Sequence, residues 1–91
     1  MYIDKWRNKL ITENKSPLTI KGYEEALVHF LDYIKTDILV IEKSDIYQFI
    51  AHRQQCGISI DTIKKEIAGI KNYFKYLFNE EIINSNPTID I

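Results

Sequence analysis

Ser16, Thr19 and Lys21 recur 43 positions later as Ser59, Thr62 and Lys64, each set opening a long amphipathic stretch. The first segment reads Ser16-Pro17-Leu18-Thr19-Ile20-Lys21 and the second Ser59-Ile60-Asp61-Thr62-Ile63-Lys64. The first amides of a helix have no partner within it, and a Ser oxygen at the N-cap accepts from one of them. Hydroxyls and a nearby cation at a helix N-terminus also suit a phosphate, which the amides and the helix dipole attract. Capping is the role this spacing favours for Ser16 and Ser59, with phosphate contact as the second. Further along the second stretch, about 100° per residue puts Lys64, Lys71 and Lys75 on one flank of the apolar stripe. Lys65 and Asn72 fall opposite the core. A helix so furnished can enter a major groove, where Lys meets phosphate or guanine and Asn can read adenine. The competing reading is a solvated, lysine-bearing surface.

No other residues are spaced for chemistry. His29 and His52 stand alone, and His29 falls on the polar side of its helix. Cys56 has no motif around it. The chain has no phosphate loop, dinucleotide turn, metal-ligand spacing or nucleophile elbow. Glu24-Glu25 and Glu80-Glu81 are neighbours in sequence, so each pair points to different sides of a helix and reads as solvated charge. Catalytic residues, cofactor and metal are therefore not expected.

The elements that must position the two hydroxyl-bearing segments are helical, since no strand alternation persists. Ile3, Trp6, Leu10 and Ile11 mark a first helix ending before Asn14-Lys15. Ser16 caps a second, with Pro17 at the first helical position, where its missing N–H is harmless. Its buried face reads Ile20, Tyr23, Leu27, Phe30, Leu31 and Ile34. The connection that follows should tuck Ile38 to Ile41 into the core. Ser44 is expected to cap a third helix, buried through Ile46, Phe49 and Ile50, with Gly57 ending it in a left-handed turn. Ser59 starts the fourth, whose stripe Ile63, Ile67, Ile70, Phe74 and Leu77 is close to an ideal helical face. The repeat of short helix, loop and long helix implies two helical hairpins, neither of which can bury its apolar face alone. They should pack together as an all-α, compact four-helix bundle.

With 91 residues the chain is one domain, too small for a cleft between domains. Its 45% hydrophobic and 27% charged residues argue against disorder. The longest apolar run is far short of a membrane span, and no secretion signal opens the chain. A single Cys excludes an internal disulfide and suits a reducing, cytoplasmic setting. Net charge is only −1, but it is unevenly spread. Residues 1–21 carry +3 and residues 59–79 carry +2, while residues 22–47 carry −4. Basic character thus gathers around both hydroxyl-bearing segments. Asn86-Pro87 stops any helix, and the residues after it read as the beginning of a further segment.

Ser16-x-x-Thr19-x-x-x-Tyr23 with Leu27 and Phe30, then Ile46 and Ile50, is followed by Ser59-x-x-Thr62-Ile63. Ile70-Lys71-x-Tyr73-Phe74-x-Tyr76-Leu77 and Asn86-Pro87 complete the pattern. In order and spacing this ensemble resembles the N-terminal core-binding domain of the tyrosine recombinase, or phage-integrase, family over nearly the whole chain. The resemblance implies a SAM-like bundle of two crossed helical hairpins, residues 1–87, with residues 88–91 starting the linker to a C-terminal catalytic domain. It implies a module that grips double-stranded DNA at a recombination half-site and assembles there with other recombinase protomers. By that likeness Lys15, Ser16, Thr19 and Lys21 would lie near one phosphate run. Ser59, Thr62, Lys64, Lys65 and Lys71 would lie near the groove. The family's catalytic Arg, Lys, His and Tyr residues would belong to the other domain, and Tyr23, Tyr73 and Tyr76 here fit helix packing. Two departures stand out: Lys65 and Lys71 where the family often has Arg, and Glu80-Glu81 where a Gly is usual before the Asn-Pro. Lys lacks the bidentate fork of Arg, so moderate, salt-sensitive binding is expected. The acidic block from Glu24 to Asp45 supports an alternative, a helical protein-interaction module without DNA binding.

Overall fold

Each long helix begins at the Ser that the sequence offers it. In the computed structural model, which describes residues 2–91, Ser16 and Ser59 adopt nearly the same extended backbone, with ψ of 152° and 150°. Ser16 Oγ accepts from the Thr19 amide at 3.1 Å and Ser59 Oγ from the Thr62 amide at 3.3 Å. The helices are α1 (Tyr2–Thr12), α2 (Pro17–Ile34), α3 (Lys43–Gln55) and α4 (Ile60–Asn79), with a 3-10 turn at Ile38–Val40 between α2 and α3. Met1 of the expected domain lies outside the described residues. Three of the helices end the same way. Asn14, Gly57 and Glu81 take positive φ of 61°, 79° and 60°, and the next amide reaches back to the carbonyl of Leu10, Arg53 or Leu77. This is the left-handed C-cap expected at Gly57, repeated at two residues that are not glycine, and α2 also ends in a left-handed residue, Lys35 at φ 50°, whose own amide donates to the Leu31 carbonyl.

Two local expectations are corrected. Glu42, not Ser44, is the N-cap of α3. The Asp45 carboxylate accepts from the Glu42 amide at 2.9 Å, and a charged acceptor outcompetes the hydroxyl one turn-position away. Of residues 38–41 only Ile41 is buried; Ile38 is half-buried, and Leu39 and Val40 are exposed. Asp37 caps the 3-10 turn through the Leu39 amide, and that tight turn faces the middle of the run outward.

The two hairpins, α1–α2 and α3–α4, pack through their long helices. The buried core joins Trp6 and Leu10 of α1, Leu27 and Phe30 of α2, Ile46 and Phe49 of α3, and Ile70, Phe74 and Leu77 of α4. Phe30 meets Phe49 and Phe74 edge-on, with ring centroids 5.3 and 6.2 Å apart. Helix α4 is central and packs on the other three. Its buried surface is therefore wider than the expected stripe and takes in Glu66, Gly69, Tyr73 and Tyr76, whereas Ile67 is only half-buried. At the α2–α4 crossing a Cβ on Gly69 would stand 2.9 Å from the Tyr23 Cα, so glycine is what lets the backbones approach.

Beyond α4 the chain folds back. Asn86 Oδ1 accepts from both the amide and the hydroxyl of Thr88, at 2.9 and 2.7 Å, and Thr88 is buried. Residues 88–91 are held on the bundle by Lys43 Nζ to Asp90 at 2.9 Å and Lys71 Nζ to the Ile91 carbonyl at 3.1 Å. Among the described residues no helix is long and apolar enough to cross a membrane.

Candidate nucleic-acid interface

Helices α2 and α4, with Arg53 of α3, enclose a cleft of about 560 Å³ that includes Tyr23 of the Gly69 crossing in its lining. Leu18, Thr19 and Gly22 line it from α2, Thr62 and Lys65 from α4. Thr19 and Thr62 of the two recurring Ser-x-x-Thr segments thus line the same cleft. Their hydroxyls are arranged alike: Ser16 Oγ donates to Thr19 Oγ1 at 2.9 Å and Ser59 Oγ to Thr62 Oγ1 at 3.0 Å. Each Ser accepts from the Thr amide and spends its one proton on the Thr oxygen. Each Thr hydroxyl keeps its own proton to donate. Capping therefore occupies Ser16 and Ser59, and Thr19 and Thr62 are the hydroxyls presented to the cleft.

The expected lysines divide. Lys65 lines the cleft, while Lys64, Lys71 and Lys75 line a shallower groove of about 440 Å³ on the other side of α4, walled by Asn86, Thr88 and Ile89. Ala68 borders both. Lys15 and Lys21 are exposed near the start of α2 and line neither hollow. Lys15, Lys21, Lys64 and Lys65 form no ion pair among the described residues. Lys71 is half-buried and spends one of its three protons on the Ile91 carbonyl. Elsewhere in the basic N-terminal segment Arg7 is neutralised by Glu24, 3.0 Å away. Among the described lysines without an ion pair, Lys5 on α1 and Lys35 at the end of α2 lie elsewhere, and the others stand at the two helix starts or along α4.

Asn72 is not the exposed base reader that the helical wheel suggests. Its Oδ1 accepts from the Trp6 indole N–H at 2.8 Å. Helix α1 packs on the side of α4 that a single-stripe reading leaves to solvent, and a buried indole needs a partner.

Glu66 is the residue that pattern reading missed. It is buried at the base of the cleft, where Arg53 of α3 grips it at 3.0 and 2.7 Å. His29 of α2 is half exposed, as its polar position implies, and places Nδ1 3.2 Å from Glu66 Oε2. A Glu one turn after Ile63 and one before Ile70 borders the apolar stripe, which was the available signal. The bidentate pair ties α3 to α4 and neutralises the acid beneath the lysine-bearing rim. Burial pushes the Tyr73 phenol up to about 12, so it holds its proton at neutral pH and serves packing.

Residues 3–81 match the family model described as the phage integrase N-terminal SAM-like domain. The chain is 31% identical to tyrosine recombinase XerC of Pelotomaculum thermopropionicum over 91 residues, 89% of this chain and 29% of that protein. It is 32% identical to tyrosine recombinase XerD of Listeria monocytogenes serotype 4b over 87 residues, 90% of this chain and 29% of that protein. XerC of Bacillus subtilis matches at 27% identity over 85% of the chain. The chain thus spans under a third of the length of the curated relatives it matches. No solved structure matches it. The order of hairpins, the paired Ser caps and these matches agree, and the chain belongs to the family of phage integrase N-terminal SAM-like domains, whose relatives here are tyrosine recombinases.

Proposed function

We propose that this domain is the non-catalytic DNA-gripping module of a tyrosine recombinase and holds one side of a recombination half-site. The observation that carries the reading is that Thr19 and Thr62, from the first turns of two Ser-capped helices, line one cleft together with the unpaired Lys65. Helix starts offer amides and a favourable dipole to phosphate, and Lys supplies the sequence-independent attraction that dominates DNA affinity. In this reading Lys15, Thr19 and Lys21, with Ser16 setting the helix start, serve one phosphate run. Thr62, Lys64, Lys65 and Lys71, with Ser59 in the same supporting role, serve the strand across the groove. Residues 1–87 form the gripping unit, residues 88–91 lead to a catalytic domain, and double-stranded DNA and other protomers are the partners of a cytoplasmic protein.

Fluorescence anisotropy with a duplex carrying an inverted-repeat recombination site, at two salt concentrations, tests this. Binding should weaken steeply with salt, and Lys65→Ala should lower the slope of log affinity against log salt by about one. Absence of binding at low salt, or binding indifferent to both salt and Lys65, overturns it.

A further inference from the structure

Leu18 is 83% exposed, the most exposed of the large apolar side chains among the described residues. It stands in the first turn of α2, on the rim of the cleft that also presents Thr19, Thr62 and Lys65. The floor beside it is open. Gly22 has no atom within 4 Å of where its Cβ would lie, and Ala26 and Ala68 are the other small residues lining the cleft. Leu18 is the only large aliphatic side chain of this lining, which around it carries the hydroxyls of Thr19 and Thr62, the Lys65 cation and the exposed carboxylate of Glu25. A peptide-binding groove would need several apolar anchors on the rim, and this rim has one.

Resting on the DNA-binding reading, we infer that Leu18 is a specificity-determining residue that contacts the C5-methyl group of thymine in the major groove. That methyl is the one apolar feature among base-pair edges in that groove. Thr and Lys neighbours can hold phosphates but carry no sequence information that way. An isobutyl group between them reaches past the phosphates toward the bases and gains where a methyl is present. Of the other strongly exposed apolar residues, Ile89 lines the groove that holds Lys64 and Lys71, Ile60 opens α4 and Val40 ends the 3-10 turn, and none of the three lines this cleft.

The test needs no knowledge of the target site. Alternating dA-dT and dA-dU duplex polymers differ only in the methyl group, so each is titrated with the 91-residue chain at one low salt concentration. The wild-type chain should bind the thymine polymer about fourfold more tightly, the worth of one methyl group withdrawn from water. Leu18→Ala should bind the two alike, with unchanged circular dichroism because the side chain is in solvent. Leu18→Met should keep the preference, and Lys65→Ala should weaken both polymers by the same factor. Equal binding of both polymers by the wild type, or a preference that survives Leu18→Ala, overturns the Leu18 contact alone. Failure to bind either polymer overturns the DNA-binding reading itself.

Discussion

The two glycines inside helices should respond to the same substitution with opposite sign. Gly22 lies within α2 and has open space where a Cβ would stand. Gly22→Ala therefore gains helix propensity, about 1 kcal/mol, with nothing set against it. Gly69 lies within α4, where the new Cβ would meet the Tyr23 Cα at 2.9 Å and its Cβ at 3.3 Å. Carbon atoms pack best at about 3.5–4.0 Å, and a backbone atom cannot swing aside. The helices must then separate by a fraction of an ångström along the contact that holds the hairpins together. Overpacking of this kind costs about 1–3 kcal/mol, and rigid backbone on one side puts it at the top of that range. After the same propensity gain, Gly69→Ala should lose about 2 kcal/mol. For a domain of this size the two variants should then melt ~15 °C apart, with Gly22→Ala above wild type and Gly69→Ala below. Urea denaturation with unchanged m-values checks that stability itself has moved. Equal or same-signed effects would refute the close α2–α4 crossing.

Three further outcomes test the rest of the fold. Glu66→Gln should cost about 2 kcal/mol by urea denaturation, because it removes the partner of a largely buried Arg53 whose side chain is 19% exposed. The paired change Arg53→Met with Glu66→Leu should recover most of that loss. Glu81→Gly should raise stability by about 0.5–1 kcal/mol, since Glu81 sits at φ 60° where a Cβ is penalised. Tyr73 makes stability fall in strong base: an unfolded Tyr ionises at 10.0 and the buried one at about 12. The neutral form is thus favoured by folding, and its contribution is intact below pH 10. About 2–3 kcal/mol is lost as pH rises through about 12, and Tyr73→Phe should remove that part of the decline in pH-dependent unfolding.

Local signals in the chain carried much of this structure. Ser16 and Ser59 mark their own helix starts because capping is settled within four residues, and Gly57 marks an end for the same reason. The apolar spacing in α2 and α4 found Leu27, Phe30, Ile70, Phe74 and Leu77, since one face of each helix must be buried. What escaped depends on more than one neighbour. Glu66 and Asn72 are engaged because α4 packs against three helices at once, which a single periodicity cannot encode. The left-handed ends at Lys35 and Glu81 use residues that do not advertise that conformation. The shared placement of Thr19 and Thr62 was foreshadowed by the repeat, but their division of labour with Ser16 and Ser59 emerges only from hydroxyl geometry.

In the proposed function the starts of α2 and α4 form one DNA-binding face. Backbone amide chemical shifts of the ¹⁵N-labelled domain, followed during titration with half-site duplex DNA at low and high salt, address it directly. The largest shifts should fall at residues 15–21 and 59–75 and fade as salt rises. Shifts confined to residues outside these two segments, such as the exposed Leu39, Val40 and Tyr47, or none at either salt, would contradict it.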